Sequence, residues 1–160
     1  MAPYTMKINI KDPVTDVAYI GSARLPGDGY VTVTGRNCEA GSTTQGASLE
    51  KGGGHEGLFI ATLFSIAGCL QNLLVWTSMS ADSDGRVIVQ LAFVDTQDAS
   101  ALPDSSYYKP ETLGLTSGTA IAKGIVDGNN ASYMAKLDHY DTTYPDATCT
   151  VSISHFSVAV

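Results

Sequence analysis

Apolar and polar positions alternate with a period of two along much of this chain, the signature of half-buried β-strands. In Thr5 to Ile10, Met6, Ile8 and Ile10 share one face and Thr5, Lys7 and Asn9 the other. Tyr30 to Thr34 and Arg86 to Val94 read as strands, as does Thr148 to Ser154, where Cys149, Val151 and Ile153 alternate with Ser and Thr. Asp28-Gly29, Asp84-Gly85 and Asp127-Gly128 supply the dipeptide that suits the positive φ angles of tight hairpin turns. Between the first two strands, Asp12 can cap a short helix with Pro13 in its first turn and Val14, Val17 and Ala18 on one face. The Gly/Ser/Thr-rich stretch from Cys38 to Gly57 reads as a loop. The expected fold is all-β with one or two short helices, in a single domain over residues 1–160.

Gly57 to Ala81 carries no charged residue. A membrane span needs about 20 predominantly apolar residues, but Thr62, Ser65, Gly68, Gln71 and Asn72 interrupt this run and no basic flank follows it. Two readings stay open: a buried helix, or two strands, Phe59 to Ala67 and Leu70 to Ser78, bent at Gly68.

Hydrophobic residues make up 44% of the chain and charged residues only 16%, too apolar a balance for disorder. The net charge of −7 opposes binding to nucleic acid or to anionic lipid. Cys38, Cys69 and Cys149 show no CxxC spacing and read as buried thiols, with one disulfide possible. The first residues hold no continuous apolar region of a secretory signal, so cytoplasmic residence is expected, and Asn130-Ala131-Ser132 should stay unglycosylated.

Catalytic signatures are sparse. Gly52, Gly54 and Gly57 fit GxGxxG literally, but Ala47 to Lys51 before them does not read as the required strand. The chain lacks a GxSxG elbow, an HExxH metal motif and a phosphate loop. Asp138, His139 and Asp141 could form a catalytic or metal-binding cluster, though a solvated loop with its charges in water accounts for them better. Asp82 and Asp84 lack the glutamate of a calcium loop. No cofactor, metal or enzymatic activity is expected.

Sugar recognition combines short polar side chains with an aromatic face, and this chain holds both. Trp76, Tyr107, Tyr108, Tyr133, Tyr140 and Tyr144 are candidate platforms; Ser42, Thr43, Asn72, Thr77, Asn129 and Asn130 are candidate hydrogen-bonding residues.

Several landmarks, in order, resemble the fungal fruit-body lectins. They are Tyr4 to Ile10, Gly29 to Gly35, the Gly41 to Gly46 loop, Glu56 to Thr62, Leu74-Val75-Trp76-Thr77 and Ala81 to Ile88. The resemblance implies an actinoporin-like β-sandwich with two strands around Gly68. It also implies a cytoplasmic, oligomeric lectin without catalysis, binding galactose/N-acetylgalactosamine glycans at one site and N-acetylglucosamine at another. Gly41 and Ser42 match the Ser/Gly loop of the first site, while the family's His-Asn pair falls on Ala67 and Gly68. At the second site the family's Asp-Ile-Val-Thr falls on Leu74, Val75, Trp76 and Thr77, with Tyr108 and Lys109 in the region of its remaining ligands. The candidate carbohydrate-binding set is Gly41, Ser42, Asn72, Trp76, Thr77, Tyr108 and Lys109. The alternative is a membrane-active cytolysin on the same fold; it requires a long N-terminal amphipathic helix, whereas only three residues precede the strand that starts at Tyr4.

Overall fold

The computed structural model describes residues 4–24, 30–52, 58–79, 87–97, 116–140 and 146–157. Ten strands run through them: β1 Tyr4–Lys11, β2 Val17–Arg24, β3 Tyr30–Gly35, β4 Thr44–Gly52, β5 Leu58–Ile66, β6 Asn72–Met79, β7 Val87–Val94, β8 Thr119–Val126, β9 Asn129–Tyr140 and β10 Asp146–Ser157. They form a six-stranded sheet, β3-β4-β1-β10-β9-β8, and a four-stranded sheet, β2-β5-β6-β7, which pack as a sandwich. Among the described residues there is no helix, and so none long and apolar enough to cross a membrane.

The alternation seen in the sequence fills the space between the sheets. Met6, Ile8 and Ile10 of β1 are buried in register with Ala147, Cys149 and Val151 of β10, a parallel pair at the middle of the large sheet. Ile60, Phe64, Leu73, Val75, Val89 and Leu91 meet them from the small sheet. The opposite face of the small sheet is apolar as well: Ala61, Leu63, Leu74, Ala92 and Val94 are buried there, with Trp76 packed against them. A sheet buried on both faces needs strands that are apolar at successive positions, which explains the uncharged run from Gly57 to Ala81. The run is two strands, β5 and β6, and Gly68 between them has φ +90°, a conformation L side chains rarely adopt.

Three expectations need correction. The helix after Asp12 is absent: Asp12 turns out of β1 at φ 43°, and the N–H groups that a helix would use go to distant segments of the chain. Val14 N–H donates to Ile153 O at 3.1 Å, and Val17 exchanges hydrogen bonds with Cys38 at 2.9 and 2.7 Å. The stretch from Cys38 to Gly57 is not all loop, because β4 pairs with both β1 and β3 and sends Ala47 and Leu49 into the core. Ala47 to Lys51, which did not read as a strand, lies within it. Strands β8 and β9 carry mostly alanine and glycine inward, too weak an apolar signal to stand out, and Asp127-Gly128, at φ 51° and 79°, makes their hairpin turn. Asp28-Gly29 and Asp84-Gly85 lie outside the described residues.

Candidate functional site

Two surface clefts hold convergent polar groups. The first, about 270 Å³, lies where the 37–42 turn, the start of β2 and the end of β5 come together; Asp16, Asn37, Glu39 and Ser65 line it over the buried Val17, Cys38 and Ile66. Non-local backbone bonds build it. Ala67 N–H donates to Asp16 O at 2.9 Å, Ala40 N–H to Asp16 Oδ1 at 2.8 Å, and Tyr19 N–H to Asn37 Oδ1 at 3.3 Å. Gly41, at φ +80°, lets its N–H reach Pro13 O at 2.9 Å, and Ser42 N–H donates to Glu39 O at 3.2 Å. Gly41 and Ser42 thus stand on the turn that presents Glu39, and Ala67 forms part of the cleft wall. Two carboxylates, an amide and a hydroxyl on an apolar floor can hydrogen-bond a polyhydroxyl ligand.

The second cleft, about 540 Å³, straddles the seam between the sheets. Leu70, Gln71 and Asp95 come from the small sheet's side, and Ile121, Lys123 and Ser132 from β8 and β9. The seam forms because the β5–β6 turn docks on β8: Leu70 N–H donates to Lys123 O at 2.9 Å and Ile125 N–H to Gly68 O at 2.8 Å. Gln71 Nε2 donates to Asp95 Oδ1 at 3.1 Å. A smaller cleft beside it adds Asn130 to Leu70, Lys123 and Ser132.

Among the described residues proposed from sequence, Gly41 and Ser42 share one turn, whereas Asn72, Trp76 and Thr77 do not converge on a common surface. Asn72 is half-buried, and its amide donates to Thr96 O at 2.9 Å, closing the base of the β6–β7 pair. Thr77 is fully buried and its hydroxyl donates to Ile60 O at 3.2 Å, which turns it into the sandwich and away from any surface ligand. Trp76, in register between Ala61 and Gln90, packs in the apolar cluster on the outer face of the small sheet. Tyr133 is a core residue with its ring edge-on to His155. Tyr107, Tyr108, Lys109 and Tyr144 lie outside the described residues. Thr43 accepts from Asp12 N–H at 3.2 Å, and Asn129 donates within the β8–β9 turn.

Sequence reasoning missed Asp16, Asn37, Glu39 and Ser65, as well as Gln71, Asp95, Lys123 and Ser132. The one available signal was Asn37 and Glu39 flanking Cys38, three residues ahead of the Ser/Gly turn.

Cys38, Cys69 and Cys149 are free thiols. Burial raises all three above the ordinary thiol value and pushes Cys149 up to about 12, far from the range of a reactive thiolate. Of the acidic cluster, His139 pairs with Thr150, Asp138 falls at the β9 bulge, and Asp141 is outside the described residues. Among the described residues, no three His, Cys, Asp or Glu stand together as metal ligands.

No protein-family model matches the sequence. No curated protein matches it. Among solved structures the chain is similar to one described as the lipid binding protein Nakanori, at 9% identity and a TM-score of 0.57, over 96% of this chain and 72% of that one. The likeness is one of fold, the actinoporin-like β-sandwich.

Proposed function

We propose that this chain is a non-catalytic lectin that recognises galactose/N-acetylgalactosamine or N-acetylglucosamine glycans through the cleft between the 37–42 turn and the end of β5. The observation that carries this reading is the convergence of Asp16, Asn37, Glu39 and Ser65 on one cleft. Ala67 is part of its wall, and the turn that presents Glu39 to it carries Gly41 and Ser42, the residues that match the first sugar site in the lectin resemblance. Carboxylates there accept from sugar hydroxyls, and charge-assisted bonds of this kind are about twice as strong as neutral ones. A homo-oligomer, part of the same proposal, would multiply a weak single-site affinity through avidity.

A glycan array probed with the intact chain tests it. Signal on galactosyl or N-acetylhexosaminyl glycans, reduced by Glu39→Gln, supports the reading; absence of signal above background on all of them rejects it. A second reading, a lipid headgroup as ligand, is favoured by the description of the structural neighbour as a lipid binding protein. Co-sedimentation with choline-lipid vesicles together with a blank array would establish that reading instead.

A further inference from the structure

We infer that the seam cleft is a second binding site, built for an acidic sugar of the hexuronic acid type. The inference takes from the proposed function only the idea of a glycan ligand; its residues are separate from those of the first cleft.

The two walls carry opposite chemistry. On the β8–β9 side, Lys123 is exposed, and no carboxylate of the described residues pairs with its ammonium. On the other side, Gln71 Nε2 is committed to Asp95 Oδ1 at 3.1 Å, which holds that carboxylate in place and leaves Asp95 Oδ2 and Gln71 Oε1 to accept further hydrogen bonds. A ligand that satisfies both walls needs an anionic group for the lysine and hydroxyl donors for the Asp95–Gln71 pair.

The rims are apolar and uncovered. Leu70 and Ile121, which line the cleft, are 67% and 58% exposed, and Phe156, two strands from Lys123, is 47% exposed. Lys123, Ser132 and Phe156 lie in one cross-strand row, so the lysine, a hydroxyl and an aromatic ring face the same way at successive strand spacings of about 4.8 Å. Aliphatic and aromatic side chains beside hydrogen-bonding groups match a pyranose, which has C–H faces and a hydroxylated edge. At about 540 Å³ the cleft is far larger than a lone carboxylate or inorganic anion requires. The combination selects a sugar ring bearing a carboxylate.

The test is a ¹H–¹⁵N chemical-shift titration of the intact chain with sodium D-glucuronate, D-glucose and sodium acetate at low ionic strength. Glucuronate should shift the amides of Leu70, Gln71, Lys123 and Ser132, with glucose and acetate each about tenfold weaker, the worth of one charge-assisted hydrogen bond. Lys123→Met, on an exposed strand position, should lower glucuronate affinity about tenfold and leave that of glucose unchanged, and added salt should weaken only glucuronate. Equal binding of acetate and glucuronate, no shift at these residues, or an unaltered Lys123→Met variant would overturn the inference. Glu39→Gln separates the two sites: loss of array binding with glucuronate shifts intact leaves this site standing, and a blank array leaves the glucuronate result to be read independently.

Discussion

Tyr133 lays its ring against Gly124, so close that a Cβ on the glycine would clash with ring carbons Cδ2 and Cε2 and stand 2.6 Å from Gly68 O. The tyrosine hydroxyl donates to Ile125 O at 3.3 Å, so this one side chain fastens β9 to β8 beneath the docked β5–β6 turn. Gly124→Ala should therefore destabilise the chain by about 2 kcal/mol or more, because backbone and ring must both move. Gly118→Ala, whose Cβ would meet only Thr116 Oγ1 at 3.7 Å, should change stability by less than about 0.5 kcal/mol. Urea unfolding of the two variants measures the contrast.

Alkaline pH should loosen the fold before it touches the surface. Burial holds the Cys149 thiol at about 12 against an ordinary 9.0 and raises the Tyr133 phenol too. The unfolded chain then sheds these protons first and binds fewer than the native chain, so stability falls as pH rises. The Cys149 contribution is intact below the unfolded value of 9.0 and is lost progressively toward about 12, at about 1.4 kcal/mol per pH unit. Unfolding free energies of the wild type and Cys149→Ala should converge as the pH is raised through this window.

Trp76→Ala and Thr77→Val should act on stability and not on sugar binding. The first removes packing from the outer cluster of the small sheet and should cost about 2 kcal/mol, below the usual range for a fully buried tryptophan. The second removes the donor to Ile60 O and should cost about 1 kcal/mol. Equal array signals from equal amounts of folded protein check the expectation; a selective loss in either variant would return these residues to the ligand site.

Glu39→Gln should do the opposite. Its side chain is exposed at the first cleft, so the melting temperature should stay within a few degrees while glycan affinity drops about tenfold. Thermal unfolding and array titration on one preparation test both halves.

What the sequence disclosed follows from how local each signal is. Strands β1, β3, β7 and β10 alternate within their own residues, whereas the uncharged run around Gly68 fitted helix and strands alike and only the lectin resemblance favoured two strands. Strand β2 hid behind helical spacing, since the partners of Val14 and Val17 are Ile153 and Cys38, far away in the chain. Strand β4 has only Ala47 and Leu49 as inward apolar residues, while the inward Gly46 sits under Ile10 and Phe64 without a side chain to announce it. The clefts were the least visible, because Asp16, Asn37 and Ser65 meet only through pairing of distant segments. Which side chains line the first cleft was a question of tertiary geometry.

The parallel pairing of β1 with β10 also has a consequence in time. Thr5 and Asp146 are partners 141 residues apart, and the ribosome takes roughly 7 to 30 seconds to cross that interval at about 5–20 residues per second. Throughout it β1 can pair with β4 on one side only, and its other edge offers unpaired N–H and C=O groups to any extended segment nearby. Loop closure over so long a span is slow even for a finished chain. The nascent protein therefore passes through a period as an open sheet, and its yield in a cell should depend on chaperones that shield that edge until the tenth strand arrives.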